Sequence, residues 1–480
     1  MRDRQQPLLF VFALFAVLTP SILCAAEPGF HHWFSDKTMR VDYFHTGGMG
    51  KEIVALDQVV SDGPWGGSHT RLVESLNLGK YEFRVIDRAT NAVLYTRGFA
   101  SMYGEWETTP DAKSSYQTFH ESLRFPWPNN PVQVVLEKRD ELNAFHEIWS
   151  TVIDPASRFV NPKDLAPIGK VWTVFENGPS TEKVDLLIIG DGYTAAEAAK
   201  FHSDVKRLVA VMFDTEPFKR RKSDFNVRAI DLPTAESGVN RPRAGDFRRD
   251  ELGATYNTFD SERYVLTRHN RYLRDVASAA PYEFLEILVN DKQYGGGGIF
   301  NFQATASVDS AFSPYVFVHE FGHHFAGLAD EYYTSDVAYE TGTEQHPEPW
   351  EPNVTAMHDP ANLKWKDLVT PGTPLPTPWE KAKFEAVEQE YQAKRRELRK
   401  AGAPESEIDA LFRRQMEIET KLLSTMQFSG RVGAFEGADY EAKGMYRPEA
   451  DCIMFTRDPV GFCRVCSRAI ENVIDEYSRP

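Results

Sequence analysis

The residues with the clearest chemical meaning lie in one run, His319-Glu320-Phe321-Gly322-His323. Histidines four apart fall on one face of a helix, so both imidazoles can hold a single zinc ion. Glu320, beside the first of them, is placed to take a proton from water polarised by that metal. The preceding apolar residues, from Pro314 to Val318, suit a helix buried under a cleft. This spacing also occurs by chance in ordinary helices, where the histidines are capped or solvated. The next residues argue against chance. Gly327-Leu328-Ala329-Asp330 can end the helix at a left-handed glycine and turn the chain back. Asp330 is then the preferred third ligand; Glu331 competes with it if the helix runs on past Gly327. His324 points away from the metal face of a regular helix and is read as structural.

The same logic is similar to that of the metzincins, which follow their helix with Gly-x-x-His or Gly-x-x-Asp. Here the glycine comes one residue later than in the usual spacing. A metzincin also carries a methionine turn beneath its metal. Asp451-Cys452-Ile453-Met454-Phe455 fits one, with Met454 packing under the site and a final helix from about Phe462 to Tyr477. No tyrosine stands two residues after Met454. Tyr446, just before the turn, is a candidate donor to the oxyanion, with a buried aromatic as the plain alternative. Gly295 to Gly298 lacks the Lys-Ser/Thr and the helix of a phosphate loop, and Gly190-Asp191-Gly192 lacks the third glycine of a dinucleotide fingerprint. Residues 295 to 308 are read instead as a mobile rim whose edge strand can hold an extended peptide.

These residues need a scaffold. Residues 27–160 contain β-prone, partly alternating runs such as MRVDYFHTG, YEFRVIDRA and PVQVVLEKRD, separated by turn residues, and predict an antiparallel β-sandwich. Prolines across residues 161–179 mark a linker. From Val184 strands and helices alternate: VDLLIIG, a helix opened by the Thr194–Glu197 capping box, DFNVRAIDL, a helix over SERYVLTRHNRYLRDVAS capped by Ser261, EFLEILVND, and IFNFQATASV as a fourth strand at the sheet edge. Residues 180–480 are thus expected to form the catalytic α/β domain. Within it, residues 334–445 read as an insertion with a charged helical hairpin at 378–425. The first helix is opened by a capping box at Thr377–Glu380, with a stripe of Phe384, Val387, Tyr391 and Leu398. The second carries Ile408, Leu411, Ile418 and Leu422. The hairpin is read as solvated and packing on its own stripe. The expected class is α+β multidomain: a β-sandwich, then a metzincin-like zinc-peptidase domain with that insertion.

Composition narrows the partners. Lys plus Arg is 54 against 70 Asp plus Glu in 480 residues, a formal net charge of −16. That balance argues against nucleic acid, whose phosphates need clustered cations. Arg2 and Arg4, the apolar run Leu8 to Leu18, and small residues at Cys24 and Ala26 read as a signal peptide over residues 1–26, cleaved near Ala26. The expectation is a secreted or periplasmic chain with no membrane span after cleavage. Cys452, Cys463 and Cys466 then remain. Three is odd, Cys463-x-x-Cys466 lacks a thioredoxin-like setting, and a zinc reading lacks a second pair. Cys452 is expected to bridge to one of the other two.

HEFGHHFAGLADEYY, GAFEGADYEAKGMYRP and DCIMF with FCRVC resemble the IgA-peptidase family of secreted bacterial zinc metallopeptidases. TMRVDYFHTG, RGFASMYGEW and RFPWPNNPVQVVLEKRD are similar to the β domain that precedes the catalytic domain in many members. The resemblance spans nearly all of the chain after the signal. It implies a zinc endopeptidase acting on a protein or peptide, with one catalytic Zn2+ on His319, His323 and Asp330 and with Glu320 as catalyst. It does not imply that immunoglobulin A is the substrate. Two rivals stand beside it: a non-catalytic, metal-stabilised binding protein, and a zinc amidase acting on cell-wall peptides.

Overall fold

The computed structural model describes residues 29–334 and 346–478. The signal-like segment lies outside the described residues. Among those described, no helix is long and apolar enough to cross a membrane. The protein is a mixed α+β structure with several sheets and a β-rich N-terminal region.

That region opens with a short helix α1 (Phe30–Trp33) and carries two four-stranded sheets. One has the order β5-β1-β2-β8, from β1 (Phe34–Gly48), β2 (Lys51–Pro64), β5 (Gln117–Pro128) and the short β8 (Val160–Asn161). The other has the order β4-β3-β6-β7, from β3 (Tyr81–Asp87), β4 (Val93–Phe99), β6 (Val132–Arg139) and β7 (Phe145–Ile153), all antiparallel. Alternation explains the packing. Met39, Val41 and Tyr43 of β1 share one core with Phe83 and Val85 of β3 and with Val134 and Leu136 of β6. Arg40 and Asp42, on the other face of β1, are also buried. Arg40 forms ion pairs there with Asp42, Asp62 and Asp275. Asp275 belongs to a helix of the second region, so this network ties the two regions together. A buried cation with paired carboxylates is stable only as a set, because removing one partner strands the others.

The second region is built on a six-stranded sheet of order β13-β14-β12-β10-β11-β9. Its strands are β9 (Lys170–Phe175), β10 (Val184–Asp191), β11 (Phe225–Asp231), β12 (Phe284–Val289), β13 (Gly296–Ile299) and β14 (Gln303–Ser307). The four inner strands are parallel to one another and the two edges are antiparallel. β10 is buried along its whole length because helices cover both faces. Leu186 and Ile188 face α3 (Ala198–Met212), α5 (Ser313–Ala326) and α8 (Arg464–Ser478), while Leu187 and Ile189 face α4 (Asn270–Ala277). The Thr194–Glu197 capping box is formed, and opens the chain into α3.

Several expectations need correction. Residues 170–175, inside the expected linker, form the antiparallel edge strand β9. The helix expected from Ser261 begins only at Asn270, because residues before it make bridges: Tyr264 to Gly296 and Leu266 to Thr255. The edge strand is the glycine run itself. Three of its four residues are buried, and Gly296 is paired outward as well, its N–H donating to the carbonyl of Arg263 and its carbonyl accepting from Val265. It is therefore not a free rim. The capping box at Thr377 is not formed. That threonine exchanges hydrogen bonds with Ala434, and the helix starts four residues later.

α6 (Lys381–Lys400) and α7 (Glu405–Ser424) pack together, but not on a stripe of their own. Phe384, Ile408, Phe412 and Leu423 join the main core, and Ile418 is 42% exposed. Their seam carries a polar set, in which Gln415 donates to Glu388 and Glu419 and accepts from Arg457. β15 (Phe435–Ala438) and β16 (Glu441–Arg447) then form a two-stranded hairpin. The first region also reaches this core: Met102, Tyr103 and Trp106 of α2 (Met102–Trp106) lie in the same cluster as α5.

Glycine lets α5 rest directly on β13. A Cβ on Gly298 would lie 2.3 Å from the Glu320 carbonyl oxygen and 2.9 Å from the His323 Cβ. Gly298→Ala should therefore destabilise the protein by about 1–3 kcal/mol, since backbone must move. A lowered thermal midpoint checks this; an unchanged midpoint contradicts the packing.

Candidate metal centre

α5 is the element that carries the chemistry. Pro314 stands in its first turn, and its C-terminus closes in a left-handed glycine cap. Gly327, at φ +58°, donates to the carbonyl of His323, and Leu328 donates to that of Gly322. A side chain at Gly327 would meet Trp350 at 2.6 Å as well as the left-handed penalty. The helix stops there and the chain reverses.

The reversal brings three donors together. His319 Nε2 lies 3.1 Å from His323 Nε2, and Asp330 Oδ1 lies 3.1 and 3.2 Å from the two imidazoles. His319 Nδ1 is 2.9 Å from the carbonyl oxygen of Ile453, and His323 Nδ1 is 2.5 Å from that of Leu328. A carbonyl only accepts, so each Nδ1 carries a proton and each ring turns its Nε2 inward. Two lone pairs and a carboxylate oxygen facing one another repel unless a proton or cation sits between them. Without a metal the proton is favoured: burial would lower the His323 pKa, but the charge of Asp330 overrides it and raises it to about 9. The spacing also fits a metal. Bonds of roughly 2.0–2.1 Å in a tetrahedral site put neighbouring donors about 3.3 Å apart.

Glu320 is not in the donor triangle. It lines the cleft beside His323 and Asp330, and burial, opposed by the two histidines, pushes its carboxyl pKa up. The cleft has a volume of about 360 Å3. One wall comes from Arg263, Tyr264, Tyr294, Gly296 and Gly298, and the other from the first region, through Lys80, Ser101, Gly104, Glu105 and Thr108.

Met454 is fully buried beneath α5. Its sulfur lies where a Cβ on Gly322 would come within 3.1 Å, which explains the glycine inside the histidine run. The loop also acts through its backbone. The Ile453 carbonyl orients His319, and the Met454 carbonyl accepts from Glu331 N–H at 2.8 Å. His324 has the place expected of it. It is buried, donates through Nδ1 to Ile299 and accepts from Leu285 N–H at Nε2, and burial lowers its pKa to about 3.

The structure separates the two competing carboxylates. Asp330 joins the histidines, whereas Glu331 points to Cys452, Cys463 and Cys466. It also moves the candidate tyrosine. Met445 and Arg447 of β16 are buried and Tyr446, between them, faces the other way and does not line the cleft. A tyrosine that does reach the donors is Tyr440, whose hydroxyl donates to Asp330 Oδ2. Asp439 and Tyr440 form the two-residue tip of the β15–β16 hairpin, both at positive φ. That conformation is unusual for tyrosine. The tip is held by Asp439 N–H on the Asp330 carbonyl and by Tyr440 N–H on the Tyr332 carbonyl. The sequence signal was an Asp-Tyr pair between two β-prone runs. Glu286 was missed as well, although a glutamate inside the fully buried run of β12 is itself a signal. It has no protein hydrogen-bond partner at either carboxyl oxygen among the described residues, and burial and then the Glu320 charge push its pKa well up.

The profile of IgA Peptidase M64 matches residues 173–474, and that of the Peptidase M64 N-terminus matches residues 29–150. No curated protein matches the chain significantly. The chain belongs to the IgA peptidase M64 family and is a metallopeptidase, metal-dependent and acting on a protein or peptide substrate.

The geometry predicts unequal tyrosines. Tyr440→Phe should weaken metal affinity about 10-fold or more, as loss of a hydrogen bond to a ligand does, while Tyr446→Phe leaves it unchanged. Competition with a chromogenic chelator measures both; equal losses contradict the arrangement.

Proposed function

We propose that this M64 peptidase is an exported zinc endopeptidase, with His319, His323 and Asp330 holding the metal and Glu320 moving the proton. The observation that carries the reading is the convergence of two imidazole Nε2 atoms and one carboxylate oxygen beside a cleft-lining glutamate. An N,N,O donor set leaving the cleft side open suits a catalytic zinc. Zinc, when bound, supplies a Lewis acid that makes water acidic near neutral pH and polarises a carbonyl.

The residues then divide the work. Glu320, in its ionised form, accepts a proton from the attacking water and returns it to the leaving amine. Its raised pKa brings it closer to the range in which it can do both. Asp330 is held by Tyr440, and His319 by the Ile453 carbonyl, so the ligands keep their orientation without substrate. Met454 keeps the loop against Gly322. The histidine helix, glycine turn, carboxylate and methionine loop together support a metzincin-like reading, with α6 and α7 as a helical hairpin carried on the catalytic domain. Residues 27–160 and 180–480 are read as the two domains. Placing Ser101, Gly104 and Glu105 in the cleft wall gives the first a part in holding substrate. Export rests on residues 1–26. A purely structural metal site has no use for a glutamate facing the cleft, which disfavours the non-catalytic rival.

Glu320→Gln should lower peptide hydrolysis by about 100-fold or more while the protein keeps its metal. A mixed peptide library read by mass spectrometry, with zinc analysis of the same sample, is the test. Wild-type cleavage by the variant overturns the assignment.

A further inference from the structure

We propose that Cys452, Cys463, Cys466 and Glu331 form a second metal site, a buried structural site for a thiophilic divalent cation of the zinc class. The proposal stands apart from the catalytic reading and uses none of its ligands.

All three cysteines are free and buried. This corrects the expected disulfide: Cys452 Sγ lies 3.9 Å from Cys466 Sγ, about twice a bonded sulfur–sulfur distance. The separation matches something else. Metal–sulfur bonds of roughly 2.3 Å in a tetrahedron place sulfurs about 3.8 Å apart. Glu331 Oε1 lies 3.2 Å from Cys466 Sγ and 3.9 Å from Cys463 Sγ, bracketing the roughly 3.5 Å expected between a sulfur and an oxygen ligand. One atom from each of the four residues falls within 4.8 Å of the others. Cys463-x-x-Cys466 is the clamp spacing of structural zinc sites, and Cys452 and Glu331 replace the second pair that the sequence lacks.

The surroundings suit thiolates. The N–H of Cys463 points at Cys452 Sγ at 3.2 Å, and that of Cys466 at Cys463 Sγ at 3.4 Å. Glu331 is fully buried, and its Oε2 has no protein hydrogen-bond partner among the described residues. A buried carboxylate among three thiols is costly unless a cation joins them. On binding a dication the three thiols release their protons, leaving three thiolates and a carboxylate with a net charge of about −2. Arg447 is the neighbouring cation. It is buried, stacked 3.7 Å over the Phe455 ring, and interacts with both Glu331 and Cys452.

The site would fasten three pieces of chain that share no strand: the segment after the Gly327 turn, the Met454 loop and the start of α8. Asp330 and Glu331 are adjacent and face opposite ways, so a metal on Glu331 fixes the peptide that presents Asp330 to the histidines.

Metal analysis of the reduced full-length protein should give two zinc ions per chain. His323→Ala should keep one, and Cys466→Ser should lose at least one. If the cysteine variant fails to fold, cobalt-substituted wild type decides: thiolate ligation gives an intense near-ultraviolet charge-transfer band, which His323→Ala must retain. One metal per chain with the band upholds this site and counts against the catalytic one. Absence of the band, or an intact mass showing a disulfide from Cys452 in the native protein, overturns the proposal.

Discussion

The arrangement of the site depends on the chain reversing at Gly327. The helix must stop there, within one turn of His323, for a carboxylate to come back over the histidine face. The left-handed conformation of Gly327 accompanies the bonds from Gly327 and Leu328 back to His323 and Gly322, and the ring of Trp350 leaves no room for a Cβ. The backbone that follows is held from both sides. The Asp330 carbonyl accepts from Asp439 and the Tyr332 carbonyl from Tyr440, while Glu331 N–H donates to Met454. Asp330 therefore comes to the histidines on a segment already fixed by the main chain.

The same constraint explains why distant parts of the sequence meet here. The β15–β16 hairpin, the Met454 loop and the start of α8 all abut the reversed segment, and each contributes a hydrogen bond or a buried side chain to it. The glycines of β13 do the equivalent service beneath α5, where any side chain at Gly298 would push the helix away. The first region is not a detached companion. α2 is buried in the catalytic core, and the Arg40 network crosses to Asp275 of α4. The cleft thus has walls from both regions, and a change in either can alter what fits.

What the sequence made legible was local. Histidines four apart, a glycine that ends a helix, and a methionine in a short apolar turn carry meaning through spacing alone, and the structure brings His319, His323, Asp330 and Met454 together. Alternation along β1 and β3, and the continuous apolar run of β10, likewise exposed the β-rich region and the central strand. What failed was tertiary. Residues 261–269 have a helical pattern but are used to cover the outer edge of β13. Thr377 has the form of a cap but is bonded to Ala434. Tyr446 lies near the Met454 loop in sequence, but the pleat of β16 turns it away and a hairpin tip supplies Tyr440. The cysteines were counted as an odd set because their fourth member is Glu331, far off in sequence and first weighed as a ligand for the other site.

The central claim is that Asp330, and not its neighbour, completes a metal centre with the two helix histidines. Anomalous diffraction at the zinc edge from crystals of the wild-type protein tests it most directly. The expected result is a peak within bonding distance of His319 Nε2, His323 Nε2 and an Asp330 carboxylate oxygen, with Glu320 beside it and not ligating. A peak at the histidines ligated by Glu331, or no peak there in zinc-loaded crystals, would contradict it.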